Sequence, residues 1–177
     1  YNGKVESNGD RIINGSGKTI IPPLVNAHVH VWFAQNLKGA LKEGVFALLD
    51  MHSSDYYANV MRRFNDSSNY ALYFGSNAGA TVPGGHGTQF GIPVPTINDT
   101  LSAEQFVRDR AAQGADYIKI LKEPGRPTVT EAHTADIIKT ANEVGLMPVS
   151  HVSKAGDAAV LAEQGVGGFV HMWLDRK

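Results

Sequence analysis

The sequence has no cysteine, no long apolar run and no excess of either charge, and each absence removes a class of function. Without cysteine, the 177-residue chain forms no disulfide and offers no thiolate, so a metal would need histidine, carboxylate or modified lysine ligands. No apolar stretch approaches the ~20 residues of a membrane helix, so we expect no membrane partner. The 16 basic and 17 acidic residues form no Lys/Arg cluster, which argues against nucleic acid as a partner.

The order of the elements predicts parallel βα units. After residue 20, apolar strands alternate with helical segments at intervals of roughly 25 residues, which is typical of a parallel α/β sheet. Before that point, Asn-Gly turns predict a short hairpin-like stretch. The expected strands are 24–31, 45–51, 70–77, 115–121, 147–152 and 168–174, and the expected helices are 37–43, 55–64, 102–113, 130–144 and 156–164.

The first strand carries the most informative feature, the pair His28 and His30. Residues two apart on a strand point to the same face, so both imidazoles are aimed at one place. The surrounding residues 20–31 are apolar at nearly every other position, and we expect this strand to be buried on both faces. Ordinary hydrogen bonds could satisfy such histidines, but their pairing favours a metal clamp.

Reactive side chains recur at the downstream ends of later strands, where parallel α/β folds place their sites. Lys119 alternates with Ile118 and Ile120, so it faces away from them. It is either a buried lysine with a function or a surface lysine at a frayed strand end. His151 and His171 lie within the fifth and sixth predicted strands, and each alone would be an ordinary hydrogen-bonded core histidine.

A long Gly/Pro-rich loop over residues 79–95 follows the third strand, and loops of this length in compact α/β units are usually functional. His86, in a Gly-Gly-His-Gly motif of this loop, is either a substrate contact or an exposed residue of a turn. His52, after the second strand, either reaches the pocket or bonds a neighbouring loop. Trp32, Phe33 and Trp173, near the strand ends, could line an apolar pocket, although filling the barrel interior is the commoner role for such side chains.

The order His-x-His, Lys, His, His on successive strands resembles the metal-dependent amidohydrolase superfamily, in particular its imidazolonepropionase-like and Xaa-Pro-dipeptidase-like branch. The likeness covers nearly the whole chain from residue 20. It implies a distorted (β/α)8 TIM-like barrel over residues 20–177, with about six βα units present, and a remnant of a small N-terminal β-sandwich over residues 1–19. The motifs that carry it are Leu-Val-Asn-Ala-His-Val-His, Pro-Gly-Gly-His-Gly-Thr-Gln, Gly-Ala-Asp-Tyr-Ile-Lys-Ile and His-Val-Ser-Lys-Ala.

The resemblance also implies a ligand set for two divalent cations, for which zinc is the best fit. His28 and His30 would hold the more buried cation, and His151 and His171 would hold the second. Lys119 would bridge the two after carboxylation by carbon dioxide. An unmodified Lys119 would instead indicate a single metal, or a lysine that hydrogen-bonds the substrate.

The reaction implied by the resemblance is hydrolysis of an amide by metal-activated hydroxide. The substrate would be a small-molecule amide or a dipeptide-like compound. Lys119 and His171 would be catalytic, and His52 and His86 would contact the substrate.

The predicted strands do not include the one that carries the catalytic aspartate of the family. The family's catalytic aspartate lies at the end of an eighth strand, whereas the strands predicted here stop at the sixth. We therefore expect an incomplete piece of a longer polypeptide, completed by the C-terminal part of the same barrel or by another copy in a homo-oligomer. Two alternatives are an inactive fragment or homologue with an assembly role, and a smaller doubly wound sheet that is complete but leaves the ordered histidines unexplained.

Overall fold

The computed structural model describes Gly9, Arg11 and residues 13–175. Most of the predicted N-terminal hairpin lies outside these residues, and the described positions 13–23 contain no strand. No helix in the described ranges is long and apolar enough to cross a membrane. The strands are β1 (Leu24–Val29), β2 (Val45–Asp50), β3 (Leu72–Gly75), β4 (Ile118–Lys122), β5 (Pro148–Val152) and β6 (Gly168–Phe169), and the α-helices are α1 (Ala34–Lys42), α2 (Asp55–Arg62), α3 (Ala103–Ala112), α4 (Glu131–Glu143) and α5 (Ala155–Glu163).

The strands form two parallel three-stranded sheets, with the orders β1-β2-β3 and β4-β5-β6. Backbone contacts join the sheets between β3 and β4. The Asp116 N–H donates to the Gly75 carbonyl at 3.0 Å, and Ala80 forms an isolated parallel bridge with Ile120. The parallel α/β class predicted from the element order is therefore confirmed. A doubly wound sheet reverses its strand order, and this sequential order is of a different type.

The expectation that the first strand is buried on both faces is wrong. Leu24 and Val25 leave 53% and 55% of their surfaces exposed. The reason is that β1 is an edge strand, with β2 as its one partner among the described residues. The apolar pattern of β1 correctly predicts a strand, but it does not indicate how many other elements pack against that strand.

The sixth strand is shorter than predicted, because it ends at Phe169 instead of continuing to residue 174. It pairs with β5 at two positions, Gly168 with Val149 and Phe169 with Ser150. His171 consequently lies in the irregular segment after β6 rather than within a strand.

Two apolar clusters hold the helices against the sheets. Phe106 and Ile137, both fully buried, pack α3 and α4 against β4 and β5. Leu37 and Tyr73, also fully buried, belong to the cluster that packs α1 and α2 against β2 and β3. With the helices on the outside, the carboxyl ends of the strands are left facing a shared cleft.

Candidate metal centre

The cleft at the strand ends is lined by Lys119 and by six of the seven histidines of the chain. The seventh, His133, lies in the first turn of α4, where its Nδ1 accepts a hydrogen bond from the Thr130 N–H at 3.4 Å. The structure thus brings together all the site residues predicted from the sequence, while their individual roles stay predictions. We call this feature the imidazole cleft; its histidines are His28, His30, His52, His86, His151 and His171.

The imidazole rings form two groups that meet at His171. On one side, the His28 ring centroid lies 4.4 Å from that of His171 and 5.6 Å from that of His30. On the other side, the His151 centroid lies 4.7 Å from that of His171 and 4.4 Å from that of His86, against which it stacks. Side chains from β1 and the residue after it, from β5, from the Gly/Pro-rich loop and from the segment after β6 therefore form one continuous array.

Lys119 is buried among these rings, with 2% of its surface exposed. Its backbone is fixed in the sheet, since the Lys119 carbonyl accepts from the Ala80 N–H at 2.7 Å. Desolvation lowers the pKa of Lys119 to about 7, so a large fraction of the amine is uncharged at neutral pH. The uncharged amine is the form that carbon dioxide can modify, and the alternative of a surface lysine at a frayed strand end is excluded by this burial.

Hydrogen bonds orient individual rings within the cleft. His28 Nδ1 donates to the Val170 carbonyl at 2.9 Å, which leaves Nε2 with the free lone pair. His52 Nδ1 instead accepts from the Gly79 N–H at 3.0 Å, and burial lowers the pKa of His52 to about 4. The sequence left open whether His52 reaches the pocket or bonds a neighbouring loop. In the structure it does both, because it lines the cleft and also forms a hydrogen bond with the Gly/Pro-rich loop.

Two carboxylates that sequence reasoning did not single out contact histidines of the cleft. His151 Nε2 donates to Glu123 Oε2 at 2.6 Å, and the Ser153 hydroxyl donates to Glu123 Oε1 at 3.1 Å. Asp50, 1% exposed, lies 3.8 Å from His30 Nδ1, and burial raises the pKa of the Asp50 carboxyl to about 6. Position at a strand end is the sequence signal that could have identified both carboxylates, since Asp50 ends β2 and Glu123 directly follows β4.

The cleft imidazoles are neutral at pH 7. Burial is the largest cause that lowers the pKa of each of the six, and neighbouring imidazoles or Lys119 lower it further. For His171 the pKa falls to about 4. Neutral imidazole is the form that binds a divalent cation, so the lowered pKa values of these rings are compatible with cation binding.

The donor chemistry of the cleft fits zinc or a similar borderline cation. The His28 arrangement, with Nδ1 bonded to a carbonyl and Nε2 free, is typical of a metal-ligating histidine. As the side chains stand, however, no three His, Asp or Glu groups of the described residues are arranged to hold a metal ion. A cation bound by three of these groups would require rotations of their side chains.

Comparison with known proteins shows similarity at the level of solved structures. Neither a family model nor a curated protein sequence matches this chain. A crystal structure of an amidohydrolase superposes with a TM-score of 0.78 at 20% identity, over 94% of this chain and 51% of that one. A prolidase complexed with N-methylphosphonate-L-proline gives 0.79 at 17%, over 94% and 51%. A Xaa-Pro dipeptidase with bound methionine in the active site gives 0.67 at 20%, over 84% and 47%.

This chain spans about half the length of the structures that it matches. At identities of 20% or less, the similarity defines the fold. The chain thus has the fold of the amidohydrolases and prolidases, and the resemblance predicted from its His-x-His, Lys, His, His order is confirmed at that level.

Proposed function

We propose that this chain is the ligand-bearing part of a metal-dependent hydrolase that cleaves an amide bond in a small-molecule or dipeptide-like substrate. The observation that carries the proposal is the convergence of a buried, partly neutral Lys119 with six neutral imidazoles at the strand ends of this fold. Parallel α/β folds place catalytic groups at this end of their strands. Cation binding would explain why so many uncharged nitrogen donors lie close together in one cleft.

The proposed ligand set follows the order of the strands. His28 and His30 would hold one cation, His151 and His171 the other, and a carboxylated Lys119 would bridge them. The chemistry that two such cations would supply is polarisation of a scissile carbonyl and a lowered pKa of a water molecule. Lys119 and His171 are the catalytic residues in this scheme.

Other residues of the chain would orient these groups. The Val170 carbonyl holds the His28 ring, and Glu123 holds the His151 ring, through the hydrogen bonds described above. His86 stacks on His151 at the edge of the cleft, where it would contact the substrate, and His52 beside it is a second substrate contact in the proposal.

We also propose that residues 20–177 form about six βα units of a (β/α)8 barrel and that residues 1–19 are the end of a small β-sandwich. The sequential parallel order of the strands supports a barrel over an open doubly wound sheet. Within the described part of the chain, the outer edges of β1 and β6 have no partner strand, which is consistent with further strands from the same polypeptide or from another copy. The catalytic aspartate expected from the resemblance would belong to that further part.

Metal content tests the proposal. Purified without chelator, the chain should carry about two equivalents of zinc by plasma mass spectrometry, and labelled bicarbonate should give a carbamate signal in carbon-13 NMR. Lys119→Ala should lose the carbamate and about half of the metal or more. Lys139→Ala, on the exposed face of α4, is the matched control and should retain both. Under about a tenth of an equivalent in the folded wild-type chain would contradict the proposal and favour an inactive homologue with an assembly role.

A further inference from the structure

A second cavity opens beside the imidazole cleft and shares a wall with it. The cavity has a volume of about 250 Å³, and His30 and His52 line both it and the cleft. Its remaining walls come from the segment after β1, the start of α2 and the Gly/Pro-rich loop. We call it the aromatic pocket, after its side chains Trp32, Phe33 and Tyr57, beside which lies Ile92.

The lining of the aromatic pocket is apolar and uncharged, since none of its described lining residues is Asp, Glu, Lys or Arg. The two serines in it are already engaged. The Ser53 hydroxyl donates to the Ser54 carbonyl at 3.3 Å, and Ser54 Oγ accepts from the Tyr57 N–H at 3.2 Å. A charged group entering the pocket would lose its hydration and meet no side chain of opposite formal charge among the described lining residues, whereas an apolar group would be favourably buried.

The opposite side of the cleft has a different character. There, a cavity of about 510 Å³ is lined by Glu123 and Arg126 together with His86, His151 and His171. A molecule that spans the cleft therefore meets an uncharged apolar wall at one end and a charged wall at the other. Because the two ends of the cleft differ, a substrate that spans it should bind in one orientation.

The mouth of the aromatic pocket also has the features of a binding site. Trp32 and Phe33 expose 47% and 66% of their surfaces, although Val31 beside them is buried. Two adjacent exposed aromatic side chains next to a polar cleft are typical of ligand sites, in which apolar walls supply affinity and a few polar groups orient the ligand.

We propose that the aromatic pocket binds a bulky, uncharged, apolar substituent of the substrate, attached on one side of the scissile amide. The assignment of this substituent to a substrate rests on the proposed hydrolase function, but its binding does not. The substrate class is thus an amide with one aromatic or branched aliphatic group. Amides with only small or charged substituents are poor ligands.

Fluorescence tests the proposal without requiring catalysis. The chain has two tryptophans, so in a Trp173→Phe variant the emission reports on Trp32. N-benzylacetamide should change this emission saturably and bind at least about 10-fold more tightly than N-methylacetamide, because it buries a phenyl ring. An analogue with a carboxylate on the ring should bind less tightly than N-benzylacetamide.

A second substitution in the same background locates the binding. Ile92→Lys places a charge in the pocket from a loop and should abolish the response, while Ile20→Lys, at a residue 98% exposed, should leave it unchanged. Equal affinities for the two amides, or an unchanged response in Ile92→Lys, would overturn the proposal. The proposal would also be overturned if the Trp32 emission changed with protein concentration but not with added probe. That result would mean that a second copy of the chain covers the pocket. Zinc binding without probe binding would refute only the pocket, and the reverse result would refute only the metal site.

Discussion

At the residue scale, the imidazole cleft is organised by what each ring nitrogen bonds. His151 is the clearest case, because Nε2 is committed to Glu123 at 2.6 Å and only Nδ1 remains for a ligand. Glu123 is held in turn by the Ser153 hydroxyl. Such outer partners fix the tautomer and orientation of a ligating ring, and their loss weakens metal binding without removing a ligand.

We therefore expect Glu123→Ala to lower zinc affinity by about 10-fold to 100-fold, measured by competition with a chromophoric chelator. The nitrogen-15 NMR signals of His151 should also lose the preference for the Nε2–H tautomer, because the carboxylate that selects it is gone. Glu163→Ala, at an exposed position on α5, should change neither measurement. Unchanged affinity and tautomer in Glu123→Ala would show that the contact does not position His151.

At the element scale, one arginine of α2 links the two sheets. Arg62 Nη2 donates to the Gly75 carbonyl, to Asn77 Oδ1 and to Asp116 Oδ2, at 2.9, 2.9 and 3.0 Å. Asp116 also accepts from the Gly75 N–H at 2.8 Å. The end of β3 and the residues before β4 are thus fixed to α2, which sets the position of Lys119 relative to the first sheet.

Arg62→Met should lower the free energy of unfolding by about 2 kcal/mol, because it removes several charge-assisted hydrogen bonds at a partly buried site. Urea denaturation measures this loss. The control is Arg108→Met, which removes an exposed ion pair with Glu143 and should cost less than about 1 kcal/mol. Similar losses in the two variants would mean that the Arg62 contacts do not hold the sheets together.

The helices and strands were largely predictable from the sequence, but the residues at which they begin and end were not. The helical and strand periods are local properties, so the six strands and five α-helices of the described residues were expected close to where they occur. The end of β6 depends on its neighbours. An apolar run through residues 168–174 predicts a long strand, but pairing with β5 alone supports only Gly168 and Phe169.

At the scale of the whole molecule, the described chain presents uncovered apolar edges. Leu24 and Val25 on β1 are more than half exposed, and Met172 and Leu174 after β6 are each 82% exposed. Unpaired parallel strands with apolar side chains readily accept another strand or another molecule. The solved structures that share this fold are about twice as long, which is consistent with further chain covering such edges.

In isolation, the chain should therefore associate, and light scattering after size-exclusion chromatography should give a mass above the 19.0 kDa of one copy. Val25→Lys should shift the population toward a monomer, since an edge lysine resists strand pairing. Tyr56→Lys, at a residue 79% exposed on α2, should leave the association unchanged. A monomeric wild-type chain, or an equal effect of both substitutions, would contradict this account of the edges.

The sequence by itself determined the parallel α/β class and the position of His28, Lys119 and His151 near strand ends, because strand alternation and the placement of sites at strand ends are local rules, whereas His171 lies after β6 and not within the predicted strand. Only the tertiary structure decided which nitrogen of His28, His52 and His151 is engaged, that Glu123 contacts His151, and that β1 is an exposed edge. The physical reason is distance along the chain. The contact that orients His28 comes from Val170, 142 residues away, and a sequence pattern does not contain the geometry that brings them to 2.9 Å.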